Sequence, residues 1–207
     1  MILPNNSTEE LIADFRKVAA TVYTNVTTPT QYAGIAAYEE NKEIDEYMVT
    51  IREIHRIMGR CISRRFNEIE GITATRPDGS FYFLADFNKL KPRLKDVGIC
   101  NSNDLSRVLL EHPYRVALVT GDSIRVRADD FAARIAFVDY DGKAVFDAYR
   151  KKPPVTQEDE EAFVKKNAPR MLTGIESLKQ FVNDITRDAK RIRSHKEKGI
   201  LGRAVAP

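Results

Sequence analysis

Residues 131–140 (Phe-Ala-Ala-Arg-Ile-Ala-Phe-Val-Asp-Tyr) set one arginine, Arg134, into an otherwise apolar, strand-like run. A guanidinium in such a place costs desolvation unless an anion pairs with it. Its planar fork donates two parallel hydrogen bonds and so suits a carboxylate best. Arg134 therefore reads as a carboxylate clamp. On spacing alone its partner is either a substrate or an internal Asp or Glu, the internal acid being the commoner arrangement.

The other reactive side chains point to less. Cys61 and Cys100 are the only cysteines and lack metal-ligand spacing, which reads as reduced thiols in a cytoplasmic compartment. His55, His112 and His195 are scattered, so no metal site is expected. With 207 residues, 43% apolar and 30% charged, the chain has the composition of a soluble globular protein of one large domain or a domain plus a fragment. No apolar run approaches a membrane span, and residues 1–10 lack the basic and apolar regions of a signal peptide. The net charge of +3 is uneven. Residues 187–207 carry seven basic and two acidic side chains, leaving the remainder slightly acidic. The tail has no interleaved aromatic residues for stacking bases, so a solvated, frayed terminus is favoured over a nucleic-acid partner.

These side chains need elements to hold them. Ser7-Thr8-Glu9-Glu10 forms a capping-box pattern with Ser7 as N-cap, followed by Leu11, Phe15, Val18 and Val22 at helical spacing. Pro29 can open a second helix toward Glu40. Ile44, Met48, Ile51, Ile54, Met58, Cys61, Ile62, Phe66 and Ile69 give one face of a helix over 44–69, about seven turns and roughly 40 Å long. The period then changes. Strands are predicted over 72–75, 80–84, 115–120 and 134–138, with Pro77-Asp78-Gly79 as a turn. Ser102 is the expected cap of a helix carrying Leu105, Val108 and Leu109. Helices follow over 142–150, after the Thr156/Asp159 cap, and through Met171, Ile175, Leu178, Phe181, Val182 and Ile185. The fold class is α/β: helices on a small, mainly antiparallel sheet, introduced by an all-helical N-terminal segment.

The order of the segments is more specific than any one of them. Thr28-Pro29-Thr30-Gln31-Tyr32-Ala33 precedes the long helix with Arg64-Arg65. Gly79-Ser80-Phe81-Tyr82-Phe83, the Ser102 helix, Val116-Ala117-Leu118-Val119-Thr120-Gly121 and Arg134-Ile135-Ala136-Phe137 come next. Over about residues 1–150 this series resembles the C-terminal half of class I/II aminotransferases, the pyridoxal-phosphate enzymes of fold type I. The resemblance implies transfer of an amino group between an amino acid and a 2-oxo acid, in a cytoplasmic homodimer. It implies that Arg134 grips the substrate α-carboxylate, that Phe81 and Tyr82 lie on the small-domain strand approaching the substrate, and that Asn25, Thr27 and Thr28 lie near the cofactor phosphate. Gly121 matches the turn glycine before the clamp strand, although Asp122-Ser123-Ile124-Arg125 departs from the Gly-x-x-Phe-Gly pattern of many relatives.

The resemblance also divides the chain. Residues 1–43 match the large cofactor-binding domain and 44–190 the small C-terminal domain, with 191–207 a basic tail. The family's Schiff-base lysine follows a Ser-x-x-Lys-like pattern, and no serine or threonine here has a lysine three residues later. No catalytic residue is therefore assigned. The expected reading is a C-terminal part of an aminotransferase that does not hold pyridoxal phosphate covalently alone. The alternative is a stand-alone, non-catalytic dimerising or carboxylate-binding module. Either way Leu11, Phe15, Val18 and Val22 are expected to expose an apolar stripe that invites self-association, or to meet a missing N-terminal half.

Overall fold

A computed structural model describes residues 8–22, 25–127 and 129–203, with side chains as far as residue 190. The chain divides into two compact units, Met1–Asp45 and Glu46–Pro207.

The first unit carries α1 (Glu9–Val22), α2 (Thr28–Tyr38) and the first turn of α3 (Lys42–Asn67). Ser7 lies outside the described residues. Thr8 Oγ1 accepts the Leu11 N–H at 3.3 Å, which satisfies one of the orphan donors of the first turn. Neither α1 nor α2 has a buried residue. The apolar stripe of Leu11, Phe15, Val18 and Val22 is exposed.

In the second unit a four-stranded antiparallel sheet has the order β1-β2-β4-β3, with β1 Thr73–Ala74, β2 Tyr82–Asp86, β3 Val119–Thr120 and β4 Ala132–Ala136. Alternation assigns the faces. Ala74, Phe83, Ala85, Ala133 and Ile135 turn into the core, while Thr73, Tyr82, Leu84 and Arg134 take the other face. The core side is closed by the helical face predicted from spacing. Ile54, Met58, Cys61, Ile62 and Phe66 of α3 are buried, and the Phe66 ring meets Phe83 edge-on at 5.1 Å. Ile44 and Met48, at the start of that face, are exposed instead.

The remaining helices complete this core. They are α4 (Lys91–Asp96), α5 (Ser102–Leu110), α6 (Gly142–Lys151), α7 (Gln157–Asn167) and α8 (Pro169–Arg203). Met171, Ile175, Leu178, Phe181, Val182 and Ile185 of α8 are buried as its periodicity requires. Its backbone is helical to Arg203. Thr156 and Asp159 form a reciprocal capping box on α7.

Two local expectations are corrected. Asn101, not Ser102, caps α5, because Asn101 has extended backbone and its side chain accepts the N–H groups of Asn103 and Asp104. The predicted strand over 115–120 pairs only at Val119–Thr120. Arg115 has φ 54° and the Val116 N–H is donated to Leu109, so the first half of the segment turns back on α5. No helix among the described residues is long and apolar enough to cross a membrane.

Candidate carboxylate site on the sheet

Arg134 occupies the middle of β4, between Leu84 of β2 and Val119 of β3. The strand is pinned just before it. The Phe87 N–H is donated to the Phe131 carbonyl at 2.7 Å, and Asn88 Oδ1 accepts the Phe131 N–H at 3.1 Å. Asn88 is itself held by the carboxylate of Asp86. On the other flank the Gly121 N–H is donated to the Ala132 carbonyl at 2.8 Å. A Cβ at Gly121 would stand 2.9 Å from that same oxygen, so only glycine lets the turn approach β4 this closely.

The guanidinium of Arg134 is half-buried and lies over the Tyr82 ring, 4.8 Å from Cζ to centroid. Tyr82 stands opposite Ala136, which makes it the diagonal neighbour of Arg134 on the same face. Phe81 packs edge-on against Tyr82 at 5.4 Å. No acidic side chain among the described residues forms an ion pair or hydrogen bond with Arg134. The internal partner that spacing alone favours is thus not found among the described residues. The cation is held over an aromatic face, which attracts it without neutralising its charge. Leu84, 41% exposed, and Val119 give the surroundings an apolar lining. Such a site can take a planar carboxylate whose attached group rests on apolar surface.

The structure therefore brings Arg134 and Tyr82 together. Asn25, Thr27 and Thr28 belong to the other compact unit, where all three are exposed at the start of α2. Thr27 Oγ1 and Thr30 Oγ1 are hydrogen-bonded at 2.8 Å, and Pro29 leaves one fewer N–H in the first turn. The Arg134–Tyr82 contact itself has no sequence signal, because it arises from the register of β2 against β4. Among the described residues no group of three or more potential ligands could hold a metal ion.

Comparison with known proteins agrees with the fold. The family profile described as "Aminotransferase class I and II" matches residues 5–140. The chain is 30% identical over 112 residues to the asparagine–oxo-acid transaminase of Streptococcus mutans, covering 54% of this chain and 27% of that protein. It is 29% identical over 131 residues to the bifunctional aspartate aminotransferase and glutamate/aspartate-prephenate aminotransferase of Petunia hybrida, covering 62% and 26%. Among solved structures, alanine aminotransferase from Pyrococcus furiosus superposes with a TM-score of 0.57 at 20% identity, over 87% of this chain and 36% of that one. Aromatic aminotransferase from Pyrococcus horikoshii gives 0.53 at 19%, over 88% and 38%. The chain spans about a quarter of the length of these curated relatives. By its sequence over residues 5–140 and by its fold, this chain belongs to the class I and II aminotransferases.

Proposed function

We propose that this chain acts as the C-terminal part of a pyridoxal-phosphate-dependent aminotransferase, with Arg134 holding the α-carboxylate of the amino acid and of the 2-oxo acid. The observation that carries this reading is a half-buried guanidinium on an open sheet face, lying over the Tyr82 ring and without an acidic partner among the described residues. The ring contact holds the guanidinium near the sheet face without neutralising it, which supports its pairing with an incoming carboxylate. The apolar flank of Leu84 and Val119 keeps bulk water from competing along that side.

In such an enzyme the cofactor, when bound, carries the amino group between the two substrates. The residues beside Arg134 do not fit it: Leu84, Val119, Ala132 and Ala136 offer neither a lysine for a covalent link nor donors for a phosphate. By family resemblance, Asn25, Thr27 and Thr28 contribute to its phosphate, and the working enzyme is a cytoplasmic homodimer with residues 1–43 in the larger domain and 44–190 in the smaller. The relatives act on asparagine, aspartate, glutamate and prephenate by name, which supports amino acids and 2-oxo acids as the substrate class.

The test is calorimetric titration of the full chain with 2-oxoglutarate, beside Arg134→Lys. Lysine keeps the charge but not the fork, so affinity should fall at least tenfold. Equal binding by both proteins overturns the clamp. Binding that depends on Arg134, with no activity even when a polypeptide supplying the family's Schiff-base lysine is added with the partner amino acid and pyridoxal phosphate, favours the non-catalytic carboxylate-binding module.

A further inference from the structure

A second site lies away from the sheet face, in a cleft of about 510 Å³ bordered by Arg60, Ser63, Arg64, Asn67, Arg76, Gln157 and Glu160. Arg60, Arg64 and Asn67 are spaced i, i+4 and i+7, so one stripe of α3 forms one wall. Arg76, from the turn after β1, forms a second, and the first turn of α7 forms the third. The cleft lies entirely within the unit Glu46–Pro207. Its third wall is contributed by residues beyond the 5–140 matched by the family profile.

The acids nearby do not neutralise these walls. Glu160 is engaged by Arg56 at 2.9 Å, and Glu161 is shared between Arg64 at 3.3 Å and Arg65 at 3.9 Å. Arg56 also holds Glu53 at 2.8 Å. The lining thus carries three guanidiniums (60, 64 and 76) against one carboxylate (160), and that carboxylate is already paired with Arg56. Arg60 and Arg76 have no ion pair among the described residues, although Arg60 is half-buried. Thr156 Oγ1 satisfies the Asp159 N–H, which leaves the first N–H groups of α7, at Gln157 and Glu158, without intrahelical acceptors at the rim. The amide of Asn67 is committed to the Ser63 and Ala74 carbonyls and serves to fix the wall.

We propose that this cleft binds a phosphorylated small molecule, with Arg60 and Arg76 as its principal ligands. Donor-bearing residues line three separate walls, which suits a tetrahedral, multiply charged anion better than a planar carboxylate met from one edge. The cleft is larger than one phosphate needs and leaves room for the group attached to it. The site is independent of the Arg134 clamp, since it shares no residue with the open sheet face.

Titration of the full chain with pyrophosphate and with inorganic phosphate, followed by calorimetry, tests this. Pyrophosphate should bind more tightly than phosphate, and Arg60→Gln/Arg76→Gln should weaken it at least tenfold. Arg76 is exposed and forms no ion pair or hydrogen bond among the described residues, so Arg76→Gln alone should fold as the parent does, checked by its thermal melt, and still lose several-fold affinity. Arg134→Gln should leave pyrophosphate binding unchanged, which separates this result from failure of the substrate clamp. No binding by the parent chain at millimolar pyrophosphate, or equal affinity in the parent and the folded Arg76→Gln and double variants, overturns the proposal. Binding of an RNA oligonucleotide that pyrophosphate does not displace also overturns it, in favour of a nucleic-acid surface.

Discussion

The guanidinium carbon of Arg134 lies 4.8 Å from the centroid of the Tyr82 ring, on diagonal positions of two paired strands. A ring in that position holds the cation without neutralising it, as an acid would. A cation–π contact of this kind contributes about 0.5–1 kcal/mol at a partly exposed site. Tyr82→Ala should therefore weaken 2-oxoglutarate binding by roughly two- to fivefold, and Tyr82→Phe should retain most of it. A calorimetric series over the three proteins checks this. If Tyr82→Phe loses as much as Tyr82→Ala, the phenol oxygen and not the ring is what matters.

Gly59 sits in the interior of α3, where alanine is ordinarily better by about 1 kcal/mol. Here its Cβ would stand 2.7 Å from Pro77 Cγ and 2.9 Å from Phe137 Cζ. The Phe137 ring cannot retreat, because it is buried, stacked on Phe83 at 6.2 Å and met edge-on by His55 at 6.3 Å. Overpacking of this kind costs typically 1–3 kcal/mol. Gly59→Ala should lower stability in urea by about 1 kcal/mol net, with the slope of the transition unchanged.

Tyr114 joins the loop after α5 to α8. Its hydroxyl donates to Asp184 at 3.0 Å, and its ring meets Phe181 edge-on at 5.3 Å. Burial, then the hydrogen bond to Asp184 and the charges of Asp184 and Asp188, push its pKa up to about 12. The unfolded phenol loses its proton near 10. The folded state binds the proton more tightly, so this stabilisation is complete below about pH 10 and is lost as pH rises through about 12. Tyr114→Phe should cost about 1 kcal/mol at neutral pH. It should also flatten the loss of stability between pH 10 and pH 12, as read from melts across that range.

What the sequence discloses here follows the range of the forces involved. The long helix, the α8 face of Ile175, Leu178 and Val182 and the capping box of Thr156 depend on neighbours within a turn or two, and are legible. The strand ending at Thr120 is only half legible. A β-branched run marks it, but whether Val116 pairs with β4 or with Leu109 depends on the positive φ of Arg115. Arg134 stands out by type against its apolar neighbours, whereas its support by Tyr82 depends on strand register. The cleft of Arg60, Arg76 and Gln157 is illegible for the same reason, since three distant segments must meet before their charges add.

The start of α5 turns that lesson into a test. Asn101 and Ser102 are both good N-cap types, so composition cannot choose between them. The backbone chooses Asn101, and Ser102 becomes the first helical residue, 1% exposed, with a hydroxyl that finds no protein hydrogen-bond partner among the described residues. A buried donor left unmade costs about 1–3 kcal/mol. Removing it leaves almost no cavity, because alanine differs from serine by that one oxygen. Ser102→Ala should thus raise the urea midpoint, by a stability gain of about 1 kcal/mol. Asn101→Ala removes the acceptor for two N–H groups and should lower stability by about 1 kcal/mol. The opposite signs are the point: if both substitutions destabilise equally, Ser102 shares the capping and its oxygen is not orphaned.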